Sequence, residues 1–296
     1  MEYNQTKPLR VVTLCSGYDS QCLALERLKK DYPEFDYELI AWAEFDPESN
    51  SPIDKQPAVI AHKALFPESA DRNLGDMTKI DWTKVEDFDL LFYSTPCQSV
   101  SQAGLQHGFT EGSGTRSSII WNVRDAVQIK RPKFLCLENV KAMVSGKFVG
   151  MFNLWQLELE RMGYINFAKV LNAKDYGVPQ NRERIFLVSI RADGLDALDG
   201  GIRYHFPKPF PLERKLKDVL EEHVDERYYL SDERIAEFNG YTISNHQWGY
   251  VNRKEDESVR ALCSCDYKDA PKVLEDESIC KRPSAKSQDG MEQQTE

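Results

Sequence analysis

Apolar runs alternate with helix-like repeats along roughly the first 200 residues. Four short runs are apolar almost throughout, which is typical of strands buried on both faces of a sheet: "RVVTLC", "YELIAWA", "DLLFY" and "KFLCL". Apolar residues spaced three or four apart predict the helices "SQCLALERLKKDY", "AVIAHKALF", "SIIWNVRDAVQIKRP" and "GMFNLWQLELERMGY". A strand pair, "NFAKVLNAKDYG" and "ERIFLVSIR", follows. The pattern predicts an α/β fold with a doubly wound, mainly parallel sheet covered on both faces.

The pattern breaks after about residue 200. Prolines punctuate the next stretch, which predicts one short helix and some irregular strands up to residue 274. The last residues are polar and lack periodicity, which is typical of a disordered tail. We therefore expect a large domain over 1–200, a small region over 201–274 and a disordered tail over 275–296.

Composition excludes some classes of protein. No apolar run reaches the ~18 residues that a membrane span needs, and the polar start is not a signal peptide. The seven cysteines are an odd number without framework spacing, which favours reduced thiols in a cytoplasm. The group of Cys263, Cys265, Cys280 and His246 has no recognised zinc spacing, so we expect no metal site.

The net charge of −10 argues at first against a nucleic-acid partner. However, the charge is unevenly distributed. Residues 255–296 hold eleven acidic and six basic side chains, whereas residues 180–217 hold eight basic and five acidic ones. A local basic face is therefore compatible with the composition.

Candidate chemistry lies where predicted strands end. Cys97 follows the run "DLLFY", and Glu138 lies in "CLENV" at the end of the next strand. Ligands of parallel sheets bind at such carboxyl ends, where a thiolate and an acid on neighbouring strands can converge on one pocket. Taken as isolated pairs, the simpler interpretation is structural: Cys97 packs as a small hydrophobe and Glu138 caps a helix.

The motifs taken together resemble the cytosine-5 DNA methyltransferase family over about residues 9–274. "TPCQSVSQAG" is similar to the family's nucleophile loop, "LENVK" to its Glu-Asn-Val element, and "VLNAKDYGVPQNRERIFLVSIR" to its Gln-x-Arg-x-Arg element. "TLCSGYDSQCLAL" stands where the family has its glycine-rich cofactor loop, and "AEFDPES" and "GDMTKID" match further cofactor-contacting segments. The order and spacing of these motifs make a chance match unlikely.

The resemblance implies a reaction and the residues that carry it. Cys97 would add to carbon 6 of a flipped-out cytosine in double-stranded DNA, so that carbon 5 accepts a methyl group from S-adenosylmethionine. Glu138 would hold or protonate ring nitrogen 3. Arg182 and Arg184 would lie beside the base and the catalytic loop, and Gln180 would orient the turn.

The resemblance also implies a cofactor site. Glu44 would bind the ribose hydroxyls, Phe45 would lie next to the adenine, and Asp76 would accept from the adenine amino group beside Met77. Gly17 would let the backbone pass close to the methionine part. The implied cofactor-binding set is Cys15, Ser16, Gly17, Glu44, Phe45, Asp76, Met77 and Pro96.

The chain departs from the family pattern in three places. The family usually has an aromatic residue at Cys15 and glycines at Asp19 and Ser20, and Gly-Phe is common where Ser94 and Thr95 stand. Family members also continue into a closing Gly-Asn-Ser-Val element that nothing in the last residues resembles. These departures put cofactor affinity in question more than reaction type.

Three functions remain open on the sequence. The first is a DNA cytosine-5 methyltransferase, with or without an accompanying restriction enzyme. The second is a relative acting on transfer RNA, whose Cys-Phe-Thr signature is not found here. The third is a non-catalytic binding protein that keeps the fold. A further alternative is a truncated or split subunit that binds DNA and has little activity alone, with a partner polypeptide that supplies the closing element.

Overall fold

The computed structural model describes residues 7–97, 108–192, 202–223 and 225, together with the backbone of 251–253, 259–260 and 272–274. The α-helices of these residues are α1 (Ser20–Asp31), α2 (Pro57–Leu65), α3 (Val123–Lys130) and α4 (Val149–Arg161). The strands are β1 (Leu9–Leu14), β2 (Tyr37–Ala43), β3 (Leu90–Tyr93), β4 (Phe134–Val140), β5 (Tyr164–Asn172), β6 (Gln180–Asn181), β7 (Glu183–Arg191), β8 (Val251–Arg253), β9 (Val259–Arg260) and β10 (Lys272–Leu274). Short 3-10 turns include Met77–Lys79, Arg116–Asn122, Ala173–Tyr176 and Leu216–Val219.

Six strands form one sheet in the order β2-β1-β3-β4-β7-β5. The pairs β1–β2, β1–β3 and β3–β4 are parallel, and β4–β7 is antiparallel. The chain thus builds outward from β1 first on one side and then on the other, which is the doubly wound arrangement. The predicted fold class is confirmed.

Both faces of the sheet carry a buried core. On one face Val11 of β1 packs in a cluster with Cys22 and Leu25 of α1 and Val59 of α2. On the other face Val12 and Leu14 belong to a larger cluster that includes Val123, Ala126 and Val127 of α3 and Phe152, Trp155 and Leu159 of α4. Successive residues of β1 therefore serve opposite faces, which explains why the strand is apolar throughout.

The predicted helix "SIIWNVRDAVQIKRP" is only partly α-helical. A 3-10 segment occupies Arg116–Asn122, and α3 begins at Val123. Two serine hydroxyls at this point donate to backbone carbonyls: Ser117 Oγ to Pro96 O at 2.6 Å and Ser118 Oγ to Thr115 O at 2.7 Å. Such bonds compete with regular helix and keep this segment against the end of β3.

The chain divides into two compact units. One comprises the described residues of Met1–Leu171 and Glu183–Pro207, and the other those of Asn172–Arg182 and Lys208–Glu296. The second unit contains the parallel pairs β6–β9 and β8–β10. The predicted division of the chain at residues 200 and 274 follows the sequence pattern, not these compact units, and stays a prediction.

Some expectations fall outside the described residues. These are the tail over 275–296 and the cysteines and histidine considered as a zinc site. Among the helices that the structure describes, none is long and apolar enough to cross a membrane.

Candidate active site at the carboxyl edge of the sheet

The strands β1 and β3 are adjacent and parallel, so the loops that follow them begin side by side at the same edge of the sheet. Ser94 N donates to Leu14 O at 3.2 Å, which ties the end of β3 to the end of β1. Gln21 Nε2 of α1 donates to Ser94 Oγ at 3.1 Å. In doubly wound sheets this point is where ligands bind. The sequence motifs for cofactor and nucleophile therefore meet at one edge.

The loop after β1 alternates in and out of the left-handed backbone region. Cys15, Gly17 and Asp19 have φ of 52°, 58° and 64°. No atom lies within 4 Å of a Cβ built on Gly17, so the left-handed backbone, and not a steric clash, favours glycine there. The loop therefore leaves its backbone uncovered by a side chain at Gly17, and the cofactor role of this loop stays a prediction.

Glu44 is the residue on which this loop closes. Its carboxylate Oε2 accepts from Gly17 N at 2.7 Å, and Ser16 N donates to Ala43 O at 3.2 Å. The ends of β1 and β2 are thus joined through the predicted ribose-binding acid.

Asp76 and Met77 lie at a 3-10 turn on the same side. Asp76 Oδ1 accepts from Thr78 N and Thr78 Oγ1, and Lys79 pairs with Oδ2 at 3.1 Å. Burial works to raise the pKa of Asp76, but these partners outweigh it and lower the pKa. Met77 is buried, and its Sδ lies 3.4 Å from Cys15 Sγ. A sulfur pair thus fills the place where the family usually has an aromatic ring.

These residues fit a nucleoside with an amino-acid tail. Ser16 Oγ is buried and finds no hydrogen-bond partner among the described residues, so it can serve a polar group of a ligand. Glu44 and Asp76 supply acceptors for hydroxyl and amino groups, and Phe45 is only partly buried. The donor and acceptor set therefore suits S-adenosylmethionine.

The turn that leads from β3 to Cys97, here called the nucleophile turn, is held by two side chains that donate to its backbone carbonyls. Tyr93 and Leu137 are register partners of β3 and β4, so the residues that follow each strand run side by side. Asn139 Nδ2 donates to Thr95 O at 2.9 Å in a buried contact, and Ser117 Oγ holds the Pro96 carbonyl. Cys97, whose side chain is partly buried, follows directly. The turn thus emerges beside the segment that carries Glu138.

Glu138 forms an ion pair with Arg184. Arg184 Nε lies 3.0 Å from Glu138 Oε1, and their side chains are 19% and 31% exposed respectively. The antiparallel register of β4 and β7 brings them together, because Val140 opposes Arg184 and Glu138 opposes Phe186. Arg184 Nη1 also donates to Glu183 O at 2.8 Å. The carboxylate and the guanidinium therefore remain accessible to a third group.

Comparison with known proteins addresses the nature of this edge. A family model described as C-5 cytosine-specific DNA methylase matches residues 9–290, which is most of the chain. The chain belongs to the C-5 cytosine-specific DNA methylase family. The resemblance that the motifs indicate is thereby confirmed.

Curated relatives of this methylase family member include bacterial enzymes. The type II methyltransferase M2.ScrFI of Lactococcus lactis subsp. cremoris is 41% identical over 182 residues, which cover 60% of this chain and 49% of the relative. The orphan methyltransferase M.SssI of Spiroplasma monobiae is 29% identical over 275 residues, covering 77% of this chain and 69% of the relative. The chain spans about half the length of the first curated relatives that it matches.

Solved structures resemble this chain in fold. A mutant of DNMT2 from Spodoptera frugiperda has a TM-score of 0.66 at 18% identity, covering 89% of this chain and 72% of the other. The Entamoeba histolytica methyltransferase EhMeth has a TM-score of 0.65 at 17% identity, covering 90% and 74%. At these identities the likeness concerns the fold alone.

Gln180 and Arg182 lie in the second compact unit, whereas Glu138 and Arg184 lie in the first. Gln180 pairs with Val259 in the β6–β9 ladder. Arg182 N donates to Asn172 Oδ1 at 3.0 Å, and Arg182 O accepts from Ala173 N at 3.0 Å. The two arginines of the Gln-x-Arg-x-Arg motif are therefore held by different units.

A buried polar cluster lies beneath the loop after β1, and the sequence pattern does not predict it. Asp19 is fully buried; its carboxylate accepts from Thr13 Oγ1 at 2.6 Å and from Cys22 N at 3.2 Å, which caps α1. His62 of α2 is also fully buried, with Nδ1 3.7 Å from Asp19 Oδ2 and its ring stacked on Trp42. The available signals were Thr13 within an apolar strand and a lone histidine within an apolar helix.

Burial is the main cause of the pKa shifts in this cluster. It raises the pKa of Asp19 against the lowering effect of its hydrogen bonds, and it lowers the pKa of His62 to about 4. Burial also raises the pKa of Cys22, with the Asp19 charge adding to the effect. The Cys22 thiol therefore stays protonated. Asp19 replaces a family glycine in a left-handed position, and its hydrogen bonds offset the strain of that conformation.

Proposed function

We propose that this chain is a DNA cytosine-5 methyltransferase that acts on a flipped-out cytosine of double-stranded DNA, with S-adenosylmethionine as methyl donor. The proposal is supported by the family match over residues 9–290 and by the names of the relatives, which are type II and orphan methyltransferases. The observation that carries it is the hydrogen bond from Asn139, which follows Glu138, to Thr95, which lies two residues before Cys97, together with the Glu138–Arg184 ion pair. The type II methyltransferases among the relatives favour a restriction–modification setting, and the proposal places the chain in the cytoplasm.

Cys97 acts as the nucleophile in this proposal. Its thiolate adds to carbon 6 of the cytosine, and the electron pair of the ring double bond moves to carbon 5. Glu138 holds or protonates ring nitrogen 3, which lowers the cost of charge on the ring. S-adenosylmethionine supplies the electrophilic methyl group. Loss of the carbon-5 proton and breakage of the carbon–sulfur bond then restore the aromatic ring and free Cys97.

Arg184 prepares Glu138 for this role. A charged guanidinium 3.0 Å from the carboxylate keeps Glu138 oriented toward the edge before the base arrives. The base must leave the helical stack to reach such a site, because a ring inside the duplex is inaccessible to a side chain. Arg184 and Arg182 are each proposed to contact the flipped nucleotide or its phosphates, and Gln180 to orient the turn.

The cofactor residues work through fixed acceptors. Glu44 receives the ribose hydroxyls, Asp76 the adenine amino group, and Ser16 and Gly17 the amino-acid part; Cys15, Phe45, Met77 and Pro96 pack around them. The basic stretch over 203–217 contacts the DNA backbone, and the region over 201–274 selects the target sequence. A partner polypeptide that covers α1, whose Leu23 and Leu28 are 37% and 40% exposed, is also part of the proposal.

A trapping experiment with 5-fluorocytosine tests the proposal. Duplex DNA with this base in the target gives a stable adduct, since the fluorine at carbon 5 cannot leave as a proton does. We expect the wild-type chain to form a DNA adduct that depends on S-adenosylmethionine, and Cys97→Ser to form none while still binding the cofactor. Bisulfite sequencing of methylated mixed duplex identifies the target.

Cys136→Ser is the matched control. Cys136 lies on β4, and burial with a contribution from Glu138 raises the pKa of its thiol to about 12, so it is not a thiolate at neutral pH. This variant should form the adduct. An adduct that survives in Cys97→Ser would disprove the mechanism, and methyl transfer to transfer RNA but not to DNA would disprove the substrate.

A further inference from the structure

Asn73 lies where the segment before Asp76 runs along the end of β2. Trp42 and Asn73 form a parallel bridge, with Trp42 N donating to Arg72 O at 3.2 Å and Leu74 N donating to Trp42 O at 2.7 Å. This bridge continues the sheet hydrogen bonding by one step beyond β2. The side chain of Asn73 is thereby placed next to the backbone of Glu44.

The Asn73 amide makes three hydrogen bonds to backbone groups. Its Oδ1 accepts from Glu44 N at 3.1 Å and from Gly75 N at 2.9 Å, and its Nδ2 donates to Glu44 O at 3.2 Å. Two N–H donors on one side and a carbonyl on the other fix the orientation of the amide. An aspartate could keep the first two bonds and would lose the third, whereas an alanine would lose all three.

The groups that Asn73 joins belong to two different cofactor segments. Glu44 is the acid assigned to the ribose, and Gly75 directly precedes Asp76, the acid assigned to the adenine amino group. The Glu44 carboxylate in turn binds Gly17 N at 2.7 Å. One amide therefore sets the backbone of both acids, and through Glu44 it reaches the loop after β1.

We infer that Asn73 is a positioning residue for S-adenosylmethionine: it fixes the spacing between Glu44 and Asp76 without touching the cofactor. This inference rests on the proposed function. When the acceptors of a site are already in place, binding does not have to order them. The cofactor then binds more tightly because less conformational entropy is lost. Removing the amide should weaken the cofactor complex and leave DNA binding unchanged.

Calorimetry with S-adenosylmethionine on the full chain tests this. Asn73→Ala should raise the cofactor Kd about tenfold, the effect expected when one or two net hydrogen bonds no longer support binding. The KM for S-adenosylmethionine should rise by the same factor while kcat at saturation stays within about twofold, which is the signature of lost binding shared by ground and transition states. Asn73→Asp should fall between the wild type and Asn73→Ala.

Asn166→Ala is the matched control. Asn166 also makes three hydrogen bonds, to Gln156 O, Glu160 Oε1 and Ser189 Oγ, near the opposite end of β4. It should lower the melting temperature as Asn73→Ala does, without changing the cofactor Kd. In apo protein, hydrogen exchange of the Glu44 and Gly75 amides should be faster in Asn73→Ala and unchanged in Asn166→Ala.

Three results would overturn the inference. They are a wild-type cofactor Kd in Asn73→Ala, an equal loss of affinity in Asn166→Ala, and unchanged exchange at Glu44 and Gly75. If Asn73→Ala does not fold, Asn73→Asp decides through its cofactor Kd: this variant loses the bond to Glu44 O, so a wild-type Kd would contradict the role. A wild-type chain that does not bind S-adenosylmethionine would contradict the proposed function itself, which separates the two failures.

Discussion

The edge at which the parallel strands end has two halves: a cofactor half, with the residues that we propose for S-adenosylmethionine, and a base half, with those that we propose for the cytosine. The two halves hold their carboxylates in different ways. In the cofactor half, Glu44, Asp76 and Asp19 each accept from a backbone N–H, of Gly17, Thr78 and Cys22 respectively. In the base half, Glu138 is held by the side chain of Arg184, and both are partly exposed. Backbone donors are fixed by the fold, whereas a partly exposed ion pair is worth only about 0–1 kcal/mol. The cofactor half is thus set in advance, and Glu138 can change partner when a base enters.

The largest expected effect comes from breaking the base half. Glu138→Gln keeps the size of the side chain but removes its negative charge and its ability to take up and release a proton. Methyl transfer should slow by ~10² to 10⁴, the usual contribution of a positioned acid or base. Cofactor affinity should stay unchanged, because Glu138 lies outside the backbone-held set. Single-turnover transfer and cofactor calorimetry on the same preparation measure the two quantities.

Glu183→Gln is the control for that variant. Glu183 on β7 pairs with Lys141 at 2.9 Å, an exposed ion pair near the same end of β4. This change should leave the transfer rate near the wild-type value. If Glu183→Gln slowed transfer as much as Glu138→Gln does, general electrostatics of the strand end would explain the loss, and the proposed role of Glu138 would be wrong.

The second expected effect is a pH dependence of stability that belongs to the cofactor half. His62 has an ordinary pKa of 6.5, which burial lowers to about 4 in the folded chain. As pH falls through 6.5, the unfolded chain takes up a proton that the folded chain refuses until about pH 4, so the free energy of unfolding falls over that range. Asp19 faces His62 and acts in the opposite direction below its raised pKa.

Urea unfolding at several pH values between 7 and 4.5 measures this dependence. In His62→Gln, which cannot titrate, the decline of stability toward acid should be shallower than in the wild type. Equal slopes for the two proteins would show that His62 is not the group responsible.

The smallest effect distinguishes backbone strain from lost hydrogen bonds at Asp19. Asp19→Gly removes the cap of α1 and should lower the free energy of unfolding by about 1 kcal/mol. Asp19→Ala removes the same cap but must keep φ near 64°, which costs about 1 kcal/mol more. Chemical denaturation of both variants gives the difference; Asp81→Ala, at an exposed turn cap, serves as control. An alanine variant as stable as the glycine variant would mean that the loop relaxes.

The strands and helices of the first unit could be predicted because each has one dominant pattern. The strands β1 to β4 are short apolar runs, and their order in the chain implies a parallel sheet with its ligand edge at their carboxyl ends. Cys97 and Glu138 could be placed at that edge for the same reason.

Contacts that depend on register or on single loop residues could not be predicted. The Glu138–Arg184 pair requires the antiparallel alignment of β4 with β7, which no periodicity reveals. Asn73 is one polar residue in a turn, and Asp19 looks like a solvent-exposed substitution of a glycine. Their roles follow from three-dimensional hydrogen bonding, to which sequence patterns are blind.

The central position of β1 has a consequence for how the chain reaches its fold. Val11 to Leu14 pair on one side with β2 and on the other with Leu90–Tyr93, and Arg10 N reaches Asp89 Oδ2 across 79 positions of chain. A nascent chain therefore carries an apolar strand with an open edge until β3 has been synthesised. Such non-local pairing slows folding and prolongs the exposure of an aggregation-prone edge. The strand order that brings the loops after β1 and β3 together thus also leaves an apolar edge of the newly made chain unpaired until β3 is available.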